Sequence, residues 1–217
     1  MTIISVVYVP EGIAMASDSR LTRKKELANG EFERYIFSDN AQKLVLIKNS
    51  SIGVSYCGDA IIEGKTVADF LRKFDIEEVE DSDSVTLVAE KLKLYLSKYY
   101  QSYNVLFYLA GFDNDEPFVY LINQENLIRK NYFEGELEYG ASWSGDYDPV
   151  SRLFNENNHN FHLMPLKDAI DMSEFIVGVA INYFRFTDGI STCGGPIDSL
   201  VITKDYTKFI KHKILKP

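Results

Sequence analysis

Three residues in the first part of the chain are of types that could do chemistry together. Thr2 follows Met1, Asp18 stands sixteen residues further on, and Lys43 heads the apolar run that begins at Leu44. Threonine is small enough for an initiator methionine to be clipped off in front of it. The exposed residue would then carry both a hydroxyl and a free α-amine, and so could be nucleophile and base in one. An α-amine has an intrinsic pKa of about 7.7–8. That is close to what a general base wants at neutral pH, with no tuning by burial. Taken alone, Asp18 and Lys43 equally suit a structural ion pair at strand ends, and Thr2 an ordinary strand residue. What positions them therefore decides.

The surrounding elements read as follows. Thr2–Val9 is β-branched and aromatic, a strand pattern; Pro10-Glu11-Gly12 is a turn signal, and Ile13–Ser17 resumes as a second strand. Residues 21–40 are charged and contain Asn29-Gly30, a hairpin-turn signal, so a longer exposed hairpin or loop is expected. Lys43–Ile47 and Ile52–Cys57 are two more apolar strands joined at Asn49-Ser50. Ile61–Phe74 is moderately helical, Ser84 is a candidate N-cap, and Val85, Val88, Leu92, Leu96 and Tyr99 recur at helical spacing. Strand patterns return at Tyr103–Ala110, Phe118–Ile122 and Leu127–Tyr132. A further helix is expected from Leu166 to Phe184, with Ala169, Ser173 and Ala180 suggesting close packing, before strand-like Leu200–Thr203 and Phe209–Ile214. Strands and helices alternate in blocks, not as βαβα units. That favours an α+β protein of antiparallel sheets with helices on the outer faces, and no linker divides 1–217 into more than one domain.

Composition narrows the function classes. The chain has 217 residues, 46% apolar and 25% charged, with a net charge of −9. Nucleic acid and anionic membrane are therefore not expected as main partners. Cys57 and Cys193 show no C-x-x-C spacing, so a reducing compartment fits. No basic region precedes Ile3–Tyr8 and no run reaches the length of a membrane span, so a cytoplasmic location is expected. His159 and His162 form H-x-x-H in an Asn-rich stretch that lacks a nearby acidic or cysteine pattern, which reads as a polar loop before a metal site. His212 reads as surface and Cys57 as a small core residue. No Gly-rich phosphate loop is present.

At this point the sequence resembles the proteasome β-type subunits and their bacterial relatives, within the N-terminal nucleophile hydrolases. The likeness runs over nearly the whole chain and is strongest at Ala16-Ser17-Asp18-Ser19-Arg20-Leu21-Thr22. It continues through Lys43-Leu44, Ile52–Gly58, Leu109-Ala110-Gly111-Phe112-Asp113, Ser144-Gly145 and the set Asp188, Ser191, Gly194-Gly195. Three departures stand out. Two residues, Thr192 and Cys193, separate Ser191 from the glycine pair, so either Ser191 or Cys193 takes the family serine's place. Trp143 precedes Ser144 where the family has glycine. The stretch from Arg20 to Lys43 is longer than usual.

The resemblance implies a four-layer α/β/β/α sandwich of two antiparallel sheets. It implies a threonine-type peptidase in which Thr2 attacks the scissile carbonyl and its amine takes the proton. Lys43 would sit beside the hydroxyl, with Asp18 holding the ammonium in place. The Gly58 N–H would stabilise the oxyanion, and Ser144, Asp188 and Ser191 would orient the amine. Leu21, Val45 and Tyr56 would border the pocket for the substrate side chain. Such chemistry needs no cofactor and no metal. The resemblance also implies self-association into a ring or spiral that encloses the sites. A separate ATPase unfoldase would feed it peptide or unfolded protein. A catalytically inactive scaffold subunit and an amidase acting on a small amide are the alternative expectations.

Overall fold

A computed structural model describes residues 2–27, 30–154 and 159–214. Met1, whose removal is expected, and Asn29 of the expected turn lie outside the described residues. The chain is a mixed α/β protein whose strand pairs are all antiparallel, with four α-helices among the described residues.

Strands β1 (Ile3–Val9) and β2 (Gly12–Ser17) pair across Pro10-Glu11, and every residue of both is buried. Both faces of the pair are covered. Ile4, Val6 and Met15 enter one apolar cluster, and Ile3, Val7 and Ala14 enter another. A strand buried on both faces needs a continuous apolar run, not alternation, and Ile3–Val9 supplies one. Strands β3 (Leu21–Glu26) and β4 (Phe32–Ser38) form a hairpin of their own, with β4 exposed along nearly its whole length. Strands β5 (Leu44–Ile47) and β6 (Ile52–Gly58) are joined by a turn in which Lys48, Asn49 and Ser50 all have positive φ.

The next element corrects the expected helix start at Ile61. Residues β7 (Ile61–Ile62) and β8 (Lys65–Thr66) make a short ladder, and α1 runs Val67–Glu78. The physical reason is the cap: the Thr66 hydroxyl accepts the Asp69 N–H at 3.1 Å, fixing the first turn there. Ser84 caps α2 (Val85–Tyr99) as expected, accepting from Leu87 N–H at 3.1 Å. Strands β9 (Val105–Asp113), β10 (Glu116–Ile122) and β11 (Leu127–Arg129) follow as a meander, then the small ribbon β12 (Tyr132–Phe133) with β13 (Glu136–Leu137). Strand β14 (Gly140–Gly145) and helix α3 (Asp148–Phe154) are additions to the sequence reading. Gly-Ala-Ser-Trp-Ser-Gly has little strand propensity; pairing along β1 makes it a strand. Helix α4 (Leu166–Arg185) and strands β15 (Asp198–Ile202) and β16 (Thr207–Lys211) complete the order.

Two five-stranded sheets result, β14-β1-β2-β15-β16 and β11-β10-β9-β6-β5. Their facing sides share an apolar interior that includes Ile4, Val6 and Met15 from the first and Leu44, Tyr108 and Ala110 from the second. The other face of the second sheet packs on α1 and α2 through Phe70, Phe74, Val88 and Leu92. The other face of the first packs on α4 through Ala169, Ile176, Val177 and Ala180. The small residues let this helix lie close, and the Ser5 hydroxyl donates to the Ser173 carbonyl at 2.8 Å. No helix among the described residues is long and apolar enough to cross a membrane.

Phe70 anchors the helix layer, with its ring 5.0 Å from Tyr100 and 5.5 Å from Tyr95, centroid to centroid. Phe70→Ala is expected to lower stability by about 3–5 kcal/mol, the range for a buried aromatic truncated to alanine. Urea unfolding followed by circular dichroism reads this, and a loss below about 1 kcal/mol would show that α1 docks without it.

Candidate active site

Asp18 lies one residue beyond β2, directly across from the start of β1, and is fully buried. Its carboxylate has four donors. Oδ1 accepts the Lys43 ammonium at 2.7 Å and the Ile3 N–H at 3.1 Å. Oδ2 accepts the N–H groups of Arg20 at 3.1 Å and Gly194 at 3.0 Å. Burying a charge is costly unless it is paired and hydrogen-bonded, and this one is both. Lys43 is 1% exposed and sits immediately before β5. The ion pair therefore runs from the first sheet to the second.

Thr2 is 4% exposed and immediately precedes β1. Its carbonyl accepts the Asp146 N–H at 2.8 Å. The chain reaches this bond through Gly145, whose φ is +106°. A side chain there would collide with the Thr2 carbonyl oxygen, so only glycine fits. Gly58 ends β6 with φ +105°. A side chain there would strike the Asn104 carbonyl.

Thr2, Lys43 and Gly58 line one cavity of ≈ 370 Å³ together with Leu21 and with Arg23 and Arg34 of the β3–β4 hairpin. That is within the size range of small-molecule and peptide side-chain sites. Four of the sequence-derived site residues are thus brought together with Asp18 behind them. The others lie elsewhere. Ser144 shares the β1–β14 register with Ile4, and its hydroxyl is 3.0 Å from that of Tyr108. Burial pushes the Tyr108 phenol up to about 12, so it stays neutral and available for that bond. The Ser191 hydroxyl donates to the Cys193 carbonyl at 2.7 Å. Asp188 is exposed in the segment after α4. Val45 and Tyr56 do not line the cavity; both are buried under α1 and α2, and the Tyr56 hydroxyl donates to the Gln42 carbonyl at 2.9 Å. Tyr56 faces the helices because β6 alternates: Ser55 and Cys57 point the other way.

The geometry adds residues that the sequence reading passed over. Asp146, bonded to Thr2 through its main chain, also takes the Thr192 hydroxyl and the Cys193 thiol, the latter at 3.4 Å, on its carboxylate. Thr192 and Cys193, which separate Ser191 from the glycine pair, supply both donors. Arg20 grips Asp39 through two bonds, Nε at 2.7 Å and Nη2 at 2.9 Å. That guanidinium holds the Asp39 carboxyl below its usual range and ties the end of the β3–β4 hairpin to the site. Burial pushes the Cys57 thiol up to about 12 and raises that of Cys193 as well. Neither is therefore an activated thiol.

The H-x-x-H pair is spent on ring contacts. His159 packs on Phe154 at 5.0 Å and His162 on Tyr139 at 5.2 Å. No group of three metal-ligating side chains occurs among the described residues. No known family model matches the chain, and no curated protein does.

Lys43→Ala would leave the Asp18 carboxylate buried without its countercharge. We expect a loss of about 3–5 kcal/mol, as for breaking a buried pair by removing one partner. Denaturant titration measures it; an unchanged midpoint would mean that the three main-chain N–H donors suffice to hold the charge.

Proposed function

We propose that the chain is a threonine-type peptidase of the N-terminal nucleophile kind, acting through Thr2 once Met1 is removed. One observation carries the reading: Thr2, Lys43 and Gly58 line a single cavity, with Asp18 buried against the Lys43 ammonium. The stacking of helices, two sheets and helices supports a four-layer α/β/β/α sandwich of the proteasome-like type.

In this reading the Thr2 Oγ attacks the carbonyl carbon of the scissile amide while the Thr2 amine takes its proton. The Gly58 N–H receives the developing oxyanion. The Lys43 ammonium favours the alkoxide character of the attacking oxygen by its charge, and Asp18 fixes that ammonium. Collapse of the tetrahedral intermediate breaks the C–N bond, and the leaving amine takes the proton from the Thr2 ammonium. Water then hydrolyses the ester and restores Thr2. Asp146, tied to the Thr2 main chain and held in turn by the Thr192 hydroxyl, positions the nucleophile, a role the resemblance had assigned to Ser144, Asp188 and Ser191. Enclosure of the sites in a self-associated ring or spiral, fed by an ATPase unfoldase, would protect folded bystander proteins.

Intact mass of protein expressed with a free N-terminus is expected to show loss of one methionine. A threonine-directed covalent probe should then label Thr2, and Thr2→Ala should abolish labelling and turnover. Because the amine must be neutral to act as base, kcat/KM is expected to rise with pH through the α-amine value of about 7.7–8 and to fall below it. Full retention of Met1 in the native host would remove the base and overturn the reading. Light scattering coupled to size exclusion is expected to give a ring-sized particle; a monomer would count against enclosure and favour a small amide as substrate.

A further inference from the structure

The cavity beside Thr2 is cationic in a protein whose net charge is −9. Its wall carries Arg20, Arg23, Arg34 and Lys43 against a single carboxylate, Asp59. Arg20 is matched by Asp39 and Lys43 by Asp18. The Asp59 carboxylate is turned to the Asn104 N–H at 2.8 Å. Arg23 differs from the matched pair. It is exposed on β3, and its guanidinium lies over the Phe37 ring, 4.5 Å from the centroid. A cation–π contact uses the face of the guanidinium. Such a contact does not use the in-plane N–H donors, which match a carboxylate in fork geometry. The Phe37 platform also restricts the side chain, so less freedom is lost when an anion binds.

We infer that the cavity selects peptides with a carboxylate side chain next to the scissile bond, read by Arg23 on the β3–β4 hairpin. The inference rests on the hydrolase reading for the bond that is cut, but not for the recognition itself. The hairpin is the stretch that is long relative to the resembled family; the Arg20–Asp39 clasp ties down its end, and its Arg23 lines the cavity. Glutamate and glutamine differ in charge and hardly in size, so that pair isolates the electrostatic part of the selection.

The test uses the processed full chain and tripeptide amides ending in glutamate, glutamine, leucine or lysine at the cleaved residue. Expected is a kcat/KM for glutamate at least about tenfold above glutamine, the scale of one charge-assisted hydrogen bond. Lysine should be the poorest, and the glutamate advantage should shrink as salt is raised. Arg23→Met should bring the glutamate-to-glutamine ratio close to one. A ratio at or below one in the wild type, or one that Arg23→Met leaves unchanged, overturns the inference. Should no peptide be cleaved, the hydrolase reading fails, and calorimetric binding of the glutamate and glutamine peptides to Thr2→Ala decides the recognition. Tighter glutamate binding that Arg23→Met abolishes upholds it, and equal or absent binding of the two overturns it.

Discussion

Everything around the cavity depends on one buried carboxylate. Asp18 accepts from Lys43, Ile3, Arg20 and Gly194, and these four donors come from four different stretches of chain. The bond to Ile3 fixes the start of β1, and with it Thr2. The bond to Lys43 fixes the start of β5 in the opposite sheet. The bond to Gly194 draws in the loop that follows α4, and the bond to Arg20 sets the root of the β3–β4 hairpin. A charge buried this deeply tolerates few arrangements. The penalty for leaving it unsatisfied makes the relative placement of the four segments specific in a way that apolar packing alone does not.

Main-chain close approach is the second constraint. Gly145 allows Asp146 to donate to the Thr2 carbonyl, and Gly58 allows the end of β6 to pass against Asn104. In both places the backbone turns with positive φ where a side chain would collide. The Thr2 end of β1 is thus held from two sides, by Asp18 on the β2 side and by Asp146 on the β14 side. In the proposed reaction such pinning would limit the freedom of the nucleophile before substrate arrives. It also explains why Thr192 and Cys193 matter: they occupy the Asp146 carboxylate and so stabilise the turn that carries it.

Charge is distributed against the overall balance. The cavity wall carries four cations against one carboxylate although the net charge of the chain is −9, and low-dielectric walls strengthen any field inside such a recess. The matched pairs, Arg20 with Asp39 and Lys43 with Asp18, do structural work there. The hairpin residue Arg23 adds a further charge to the wall, stacked on the Phe37 ring.

Much of this was legible in the sequence. The apolar run Ile3–Val9, the cap at Ser84 and the helical spacing through Leu92 follow from local chemistry, because strand propensity, capping and turn residues act over a few positions; Asp18 and Lys43 stood out by residue type, and Gly58 only through the family resemblance. Other features were not legible. Gly140–Gly145 becomes a strand only because β1 offers it a partner, and the start of α1 moved because a threonine cap outweighed the apolar residues before it. Asp146, Thr192 and Arg23 have no local signature at all. Sequence by itself determined most of the strand and helix segments and singled out Thr2, Asp18 and Lys43 as candidates for chemistry. Tertiary structure decided which of them share a cavity, since hydrogen-bond partners as distant as Asp18 and Gly194, 176 positions apart, meet only when two sheets close over one buried charge.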